Sequence, residues 1–270
     1  MGKPAVMNDT LPSRILGSTG LEVSTLGLGT VKFGRNSGVK YPNQFDLPDD
    51  EQIRQLLAQA SDHGMNLLDT APAYGSSEER LGSLLNNRKH WVICSKTGEE
   101  FTSGESYFDF SAQHTRASVE RSLRRLQTDY LDIVLVHSDG NDLNVINESD
   151  CLETLARLKE TGHIRSYGFS GKTVAGGLRA LELSDIVMVT LNTSYQEEIP
   201  VIEHARALNK GVLIKKAFAS GHAVLKGQPS QTVQQNLRAV LEQPGVSSAI
   251  CGTINPQHLE ENIAAAIQIG

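Results

Sequence analysis

Four residues of different chemical type stand at, or just beyond, the ends of short apolar runs. Asp69 closes NLLD (66–69), Tyr74 follows it by five residues, Lys96 closes WVICSK (91–96), and His137 closes LDIVLVH (131–137). Singly, each has an ordinary explanation: a turn-forming aspartate, a packed tyrosine, a solvated lysine, a hydrogen-bonded histidine. Together they make a proton-delivering set. A neighbouring ammonium stabilises a phenolate and lowers a tyrosine pKa from its reference of about 10, while a carboxylate keeps that ammonium protonated. Tyr74 is then expected to act as a general acid near neutrality, with the His137 imidazole polarising a carbonyl or helping to pass the proton.

For that chemistry the chain must bring the three run ends to one place. Eight short apolar, β-branched runs recur: 26–30, 66–69, 91–96, 131–137, 164–170, 185–191, 211–216 and 247–251. Each is nearly continuous in apolar character, as expected of strands buried on both faces of a parallel sheet. Successive runs start 21 to 40 residues apart, the scale of βαβ units. Between them lie helical patterns such as EQIRQLLAQASDHG, SSEERLGSLLN and SAQHTRASVERSLRRLQ. Ser76 with Glu79 predicts a capping box, and Asn255-Pro256 predicts an N-cap followed by proline at the first helical position.

Eight such units close into a barrel or lie open as a doubly wound sheet. An open dinucleotide-binding sheet calls for G-x-G-x-x-G after its first strand, but Gly27, Gly29 and Gly34 have the wrong spacing, and no GxxxxGK[ST] occurs. The expectation is an α/β fold, a (β/α)8 TIM barrel spanning residues 1–270 as one domain. RILGSTGLEVSTL is expected to form an N-terminal β-hairpin around Ser18-Thr19-Gly20 that plugs one end. In such barrels the reactive groups sit at the C-terminal ends of the strands. That places Asp69, Lys96, His137, Ser170, Lys215 with Lys216, and Gly252 with Thr253 around one mouth, with the aperiodic 32–50 segment as an active-site loop.

Composition excludes several alternatives. With 39% hydrophobic and 21% charged residues the chain should fold as a globule without staples. A net charge of −6 gives no global field for nucleic acid, so any phosphate must be held locally. The arginines of RASVERSLRRL (116–126) alternate with Val119, Leu123 and Leu126 and fit a solvated helix face. Cys94, Cys151 and Cys251 lack C-x-x-C spacing, which argues against a disulfide framework or a metal site and for a reducing, cytoplasmic location. No stretch reaches the roughly 18 apolar residues of a membrane span, and no secretory leader is expected.

The sequence resembles the aldo-keto reductases over essentially its whole length. The resemblance rests on ILGSTGLEVSTLGLGT, NLLDTAPAYGSSEERLGSLL, VICSKTG, RRLQTDYLDIVLVH, GHIRSYGFSG and ICGTINPQHLEEN. It implies NAD(P)H-dependent reduction of an aldehyde or ketone, with Tyr74, Asp69, Lys96 and His137 as the catalytic tetrad. NADP is favoured over NAD, and the partners are a small carbonyl substrate and, at most, a second copy in a weak homo-oligomer. Implied cofactor contacts are Gly29, Thr30, Asp69, Ser170, Gly171, Lys215, Ala217, Phe218, Ser220, Gly252, Thr253, His258, Glu261 and Asn262. The carboxamide is expected near Ser170, the pyrophosphate near 217–221, and the adenosine end at the helix opened by Asn255-Pro256, where free amides would suit a ribose phosphate.

Some positions depart from the family pattern. Gly171 stands where Asn is common, Met188 where Gln is common, and Lys215 where a tyrosine often stacks on the nicotinamide. Gly252 and His258 replace the cations often found near the 2′-phosphate. A histidine has a reference pKa of about 6.5, so discrimination for NADP over NAD is expected to be weak or to differ between pH 6 and pH 8. Equal preference at both, measured as paired cofactor affinities, would remove His258 from that role. The pattern also implies a rather open substrate pocket. The altered contacts leave open a cofactor-binding regulatory protein with slow or no turnover. A Schiff-base role for Lys96 is disfavoured because Asp69 should keep that amine charged.

Overall fold

The computed structural model describes residues 10–39, 41, 43–218 and 229–269 of the 270-residue chain. Eight parallel strands close into a barrel, one for each apolar run of the sequence. They are β3 (Leu26–Gly29), β4 (Leu67–Asp69), β5 (Val92–Thr97), β8 (Leu131–His137), β9 (Ile164–Ser170), β10 (Ile186–Thr190), β11 (Gly211–Lys215) and β12 (Ser248–Cys251). The remaining strands form two antiparallel hairpins: β1 (Ser13–Ile15) with β2 (Glu22–Ser24), and β6 (Glu99–Thr102) with β7 (Glu105–Phe108).

Strand pleating sorts the side chains into two cores. Leu68, Ile93, Val134, Val136, Val187, Val189, Val212 and Ile214 point outward and pack beneath the helices. Leu67, Cys94, Ile133, Leu135, Met188 and Leu213 point inward, where Leu16, Leu21 and Val23 of the first hairpin join them. The hairpin thus plugs the barrel at the starts of its strands, as the sequence predicts. The inward series of β4, β5, β8 and β11 continues two residues on to Asp69, Lys96, His137 and Lys215, which is how one alternation delivers four polar groups to the opposite end.

The surrounding helices are α1 (Val31–Gly34), α2 (Asp50–Asp62), α3 (Ser77–Leu84), α4 (Ala112–Arg125), α5 (Asp142–Glu148), α6 (Cys151–Glu160), α7 (Val174–Leu183), α8 (Ile199–Ala207), α9 (Pro229–Leu241) and α10 (Pro256–Ile267). Asn255 caps α10 as expected. Ser76 precedes α3, but its side chain makes no capping bond: its backbone (φ −84°, ψ 8°) is not extended, and Glu79 pairs outward with Arg125 at 3.1 Å. The arginine-rich helix α4 turns Thr115, Ser118, Val119 and Ser122 inward, while Arg121 and Arg125 pair with Glu100 and Glu78. Its cations are partly committed to neighbouring acids, in keeping with an outer helix face.

Helices α3 and α4 touch through Gly82, where a Cβ would lie 2.0 Å from the Arg125 carbonyl oxygen. Gly82→Ala is therefore expected to destabilise the protein by about 1–3 kcal/mol through overpacking. Denaturant unfolding checks this, and an unchanged midpoint would show that the two helices separate freely. Among the described residues no helix is long and apolar enough to cross a membrane, and no cluster of His, Cys, Asp and Glu could hold a metal ion.

Candidate active site

At the C-terminal end of the barrel a trough of about 500 Å³ runs from Tyr74 and His137 to the start of α10. That is within the usual range for a small-molecule site. Asp69 lines it, and Lys96 lies just beneath, 2% exposed, donating to Asp69 Oδ1 at 2.5 Å and to the Thr70 carbonyl at 2.9 Å. Burial opposes the Lys96 charge, but Asp69, with Tyr74 and Cys94, outweighs it and holds the ammonium above its ordinary value. The lysine stays charged because its partner is buried with it.

Tyr74 is placed by a single 3-10 turn, Pro72–Tyr74, closed by its N–H donating to the Ala71 carbonyl at 3.0 Å. Gly75 follows at φ +61°, a left-handed conformation, and a Cβ there would sit 2.1 Å from the Gly34 oxygen. This sharp turn sets the ring 4.8 Å from Lys96 Nζ and edge-on to His137, with ring centroids 6.4 Å apart. The sequence predicts a lowered phenol pKa. Instead, burial raises it, Lys96 pulls it only partly back, and Asp69 and Tyr41 push it up again. A phenol held above its ordinary value remains protonated across neutral pH, which suits a proton donor and not a resident phenolate.

His137 has a partner that the apolar runs do not reveal. Glu99, at the start of β6, places Oε2 2.7 Å from Nδ1, within ion-pairing distance of the protonated ring. Partial burial opposes the Glu99 charge, yet His137, the Ser106 hydroxyl and Arg35 hold its pKa at about 2. Burial lowers the His137 pKa, with Glu99 opposing and Lys96 and Lys215 adding to the shift. The hairpin that carries Glu99 has a sequence signal: EEFTSGESYF brackets Ser103-Gly104, both at positive φ.

The trough is lined by thirteen of the residues expected around it: Gly29, Asp69, Tyr74, His137, Lys215, Lys216, Ala217, Phe218, Gly252, Thr253, His258, Glu261 and Asn262. Lys96 acts from below. Thr30 lies behind the wall, donating to the Asp69 carbonyl at 3.0 Å. Ser170 and Gly171 are screened by Lys215, whose Nζ donates to Ser170 Oγ at 3.0 Å and to the Gly171 carbonyl at 2.5 Å. Met188 is buried in the lower barrel core. Ser220 lies outside the described residues.

Two further departures concern the walls. The amides expected to be free at α10 are already used: Asn255 Oδ1 accepts from Gln257 and His258, and its carbonyl accepts from Leu259. The 32–50 segment supplies Lys32, Tyr41 and Phe45 to the lining, with Lys32 Nζ 4.1 Å from the Tyr41 ring centroid. Burial, with Asp69, pushes the Tyr41 phenol up to about 12. Aromatic residues within an otherwise aperiodic loop are the available sequence clue to that wall.

A model of the Aldo/keto reductase family matches residues 25–239. The "uncharacterized oxidoreductase YqkF" of Bacillus subtilis is 28% identical, covering 94% of this chain and 90% of its own. L-galactose dehydrogenase of Arabidopsis thaliana is 26% identical, with 95% and 88% covered. The crystal structure of PA4992 from Pseudomonas aeruginosa superimposes with a TM-score of 0.88, at 54% identity and 99% coverage of both chains. The holo form of aldo-keto reductase AKR11C1 from Bacillus halodurans shares the fold, with a TM-score of 0.80 at 23% identity over 94% of this chain and 90% of that one. By the family match over most of its length and by its barrel, the chain belongs to the aldo/keto reductase family of oxidoreductases.

Proposed function

We propose that the protein reduces an aldehyde or ketone to an alcohol with a nicotinamide cofactor, NADPH being favoured over NADH. The observation that carries this reading is the convergence of Asp69, Lys96, Tyr74 and His137 at one end of a trough of about 500 Å³ that continues to the start of α10. The trough also fits that ligand chemically. Gly29 and Gly252 leave bare backbone on its floor, and a Cβ at Gly252 would meet the Tyr41 hydroxyl at 2.9 Å. Lys32, Lys215 and Lys216 line it, so local cations are present despite the net charge of −6.

When bound, the cofactor supplies a hydride to the carbonyl carbon. The chain's own residues manage the oxygen. Tyr74 donates its proton to the developing alkoxide, and Lys96, kept charged by Asp69, stabilises the phenolate left behind. His137, held beside Glu99, orients the carbonyl in the mouth. Gly29, Lys215, Ala217, Phe218, Gly252, Thr253, His258, Glu261 and Asn262 would hold the cofactor along the trough.

A carbonyl substrate incubated with cofactor deuterated on its transferable position tests the reaction type. The expected product carries deuterium on its carbinol carbon. Product formation with no deuterium there would overturn direct hydride transfer.

A further inference from the structure

Two lysines reach the barrel mouth from the inward series of their strands, and their surroundings differ in kind. Lys96 is locked to a buried carboxylate. Lys215 is held by two neutral acceptors, Ser170 Oγ and the Gly171 carbonyl, and makes no ion pair among the described residues. It faces the same trough as Tyr74 and His137. We propose that the Lys215 ammonium makes this site discriminate between cofactor oxidation states, taking the uncharged reduced nicotinamide in preference to the positively charged oxidised one.

The inference rests on the proposed function, because a ring that delivers hydride to a carbonyl at Tyr74 must lie in this mouth. An aromatic face at position 215 would attract a cationic ring. An ammonium repels it. At an effective dielectric near 20, like charges several ångströms apart shift an affinity ratio by about tenfold or more. The benefit is in occupancy: reduced cofactor loads and oxidised product is expelled, while the transfer step on the enzyme becomes less favourable by the same factor.

The surrounding charges leave this ammonium unneutralised by contact. Glu198, before α8, pulls its pKa up from a distance while accepting from the Thr190 amide at 2.8 Å. Asp142, at the start of α5, pulls it up as well, while accepting from the amides of Lys172 and Thr173. Lys216 and Lys172 push the pKa of Lys215 down, and His137 feels its charge across the mouth. Burial is the largest influence, and the value falls to about 8. Lys215 is therefore mostly charged at neutral pH and neutral in moderate alkali.

Calorimetric titration with NADPH and NADP+ at roughly pH 7 and pH 9.5, either side of the Lys215 value, tests this. The ratio of the two dissociation constants is the readout, because the 2′-phosphate is common to both forms and its contacts cancel. The wild type is expected to favour NADPH at pH 7 and to lose about tenfold of that preference at pH 9.5. K215Q should lack it at both values, and K215R, which stays charged, should keep it at both. If K215Q does not fold, the wild type and K215R over pH still decide. An equal ratio in wild type, K215Q and K215R at both pH values would overturn the inference while leaving the cofactor reading intact. A wild-type protein that binds neither form would overturn that reading, and this inference with it.

Discussion

Tyr74→Phe is expected to lower the turnover number by about 10²- to 10⁴-fold, the usual worth of a positioned general acid, while leaving the NADPH dissociation constant nearly unchanged. The substitution removes one oxygen and keeps the ring that packs edge-on to His137. Lys96 retains its bonds to Asp69 and to the Thr70 carbonyl, so no buried charge loses its partner. Loss of turnover without loss of binding or stability would then report the proton transfer itself. Retained activity would refute Tyr74 as the donor. A parallel loss of cofactor affinity would show that the hydroxyl serves binding instead.

Lys96→Met is expected to produce the largest change in stability. It leaves Asp69, 7% exposed on its side chain, as an uncompensated buried charge, and breaking such a pair costs about 3–5 kcal/mol. For a protein of this size the thermal midpoint should fall by about 10 °C. Because the folded-state pKa of Lys96 is raised, the pair's contribution is present below the ordinary lysine value of 10.5 and is lost only as pH rises through the folded value. The double substitution Asp69→Asn with Lys96→Met should recover most of the stability, since neither charge then remains. It should recover no activity, because nothing stabilises the Tyr74 phenolate. Recovery of both would mean that the pair only holds the barrel together.

The barrel was legible because its strands are buried on both faces and so read as apolar runs, and the polar residue ending each run marks the mouth. That logic exposed Asp69, Lys96 and His137, and the hairpin turn at Ser18-Thr19-Gly20 was readable from its turn residues. Glu99 was not exposed by it, since it belongs to a second hairpin outside the barrel and reaches His137 only through the folded loop. The direction of the Tyr74 shift was also hidden. Residue types show which charges attract, but the balance between Lys96 and burial depends on how deeply the phenol sits. Lys215 was legible as a departure from the family, yet only the structure shows that it covers Ser170 and Gly171. Asn255-Pro256 marks the cap of α10 in the sequence, but the same cap consumes the amides that would otherwise be open to a phosphate.

A working reductase site and an inert tetrad on a binding protein differ in turnover. The most direct test follows NADPH consumption by the wild-type protein across a broad panel of aldehydes and ketones, alongside NADPH binding measured on the same preparation. The expected result is binding together with carbonyl-dependent oxidation of NADPH that disappears in Tyr74→Phe. Tight NADPH binding with no oxidation by any member of the panel would contradict it and favour a binding or regulatory role.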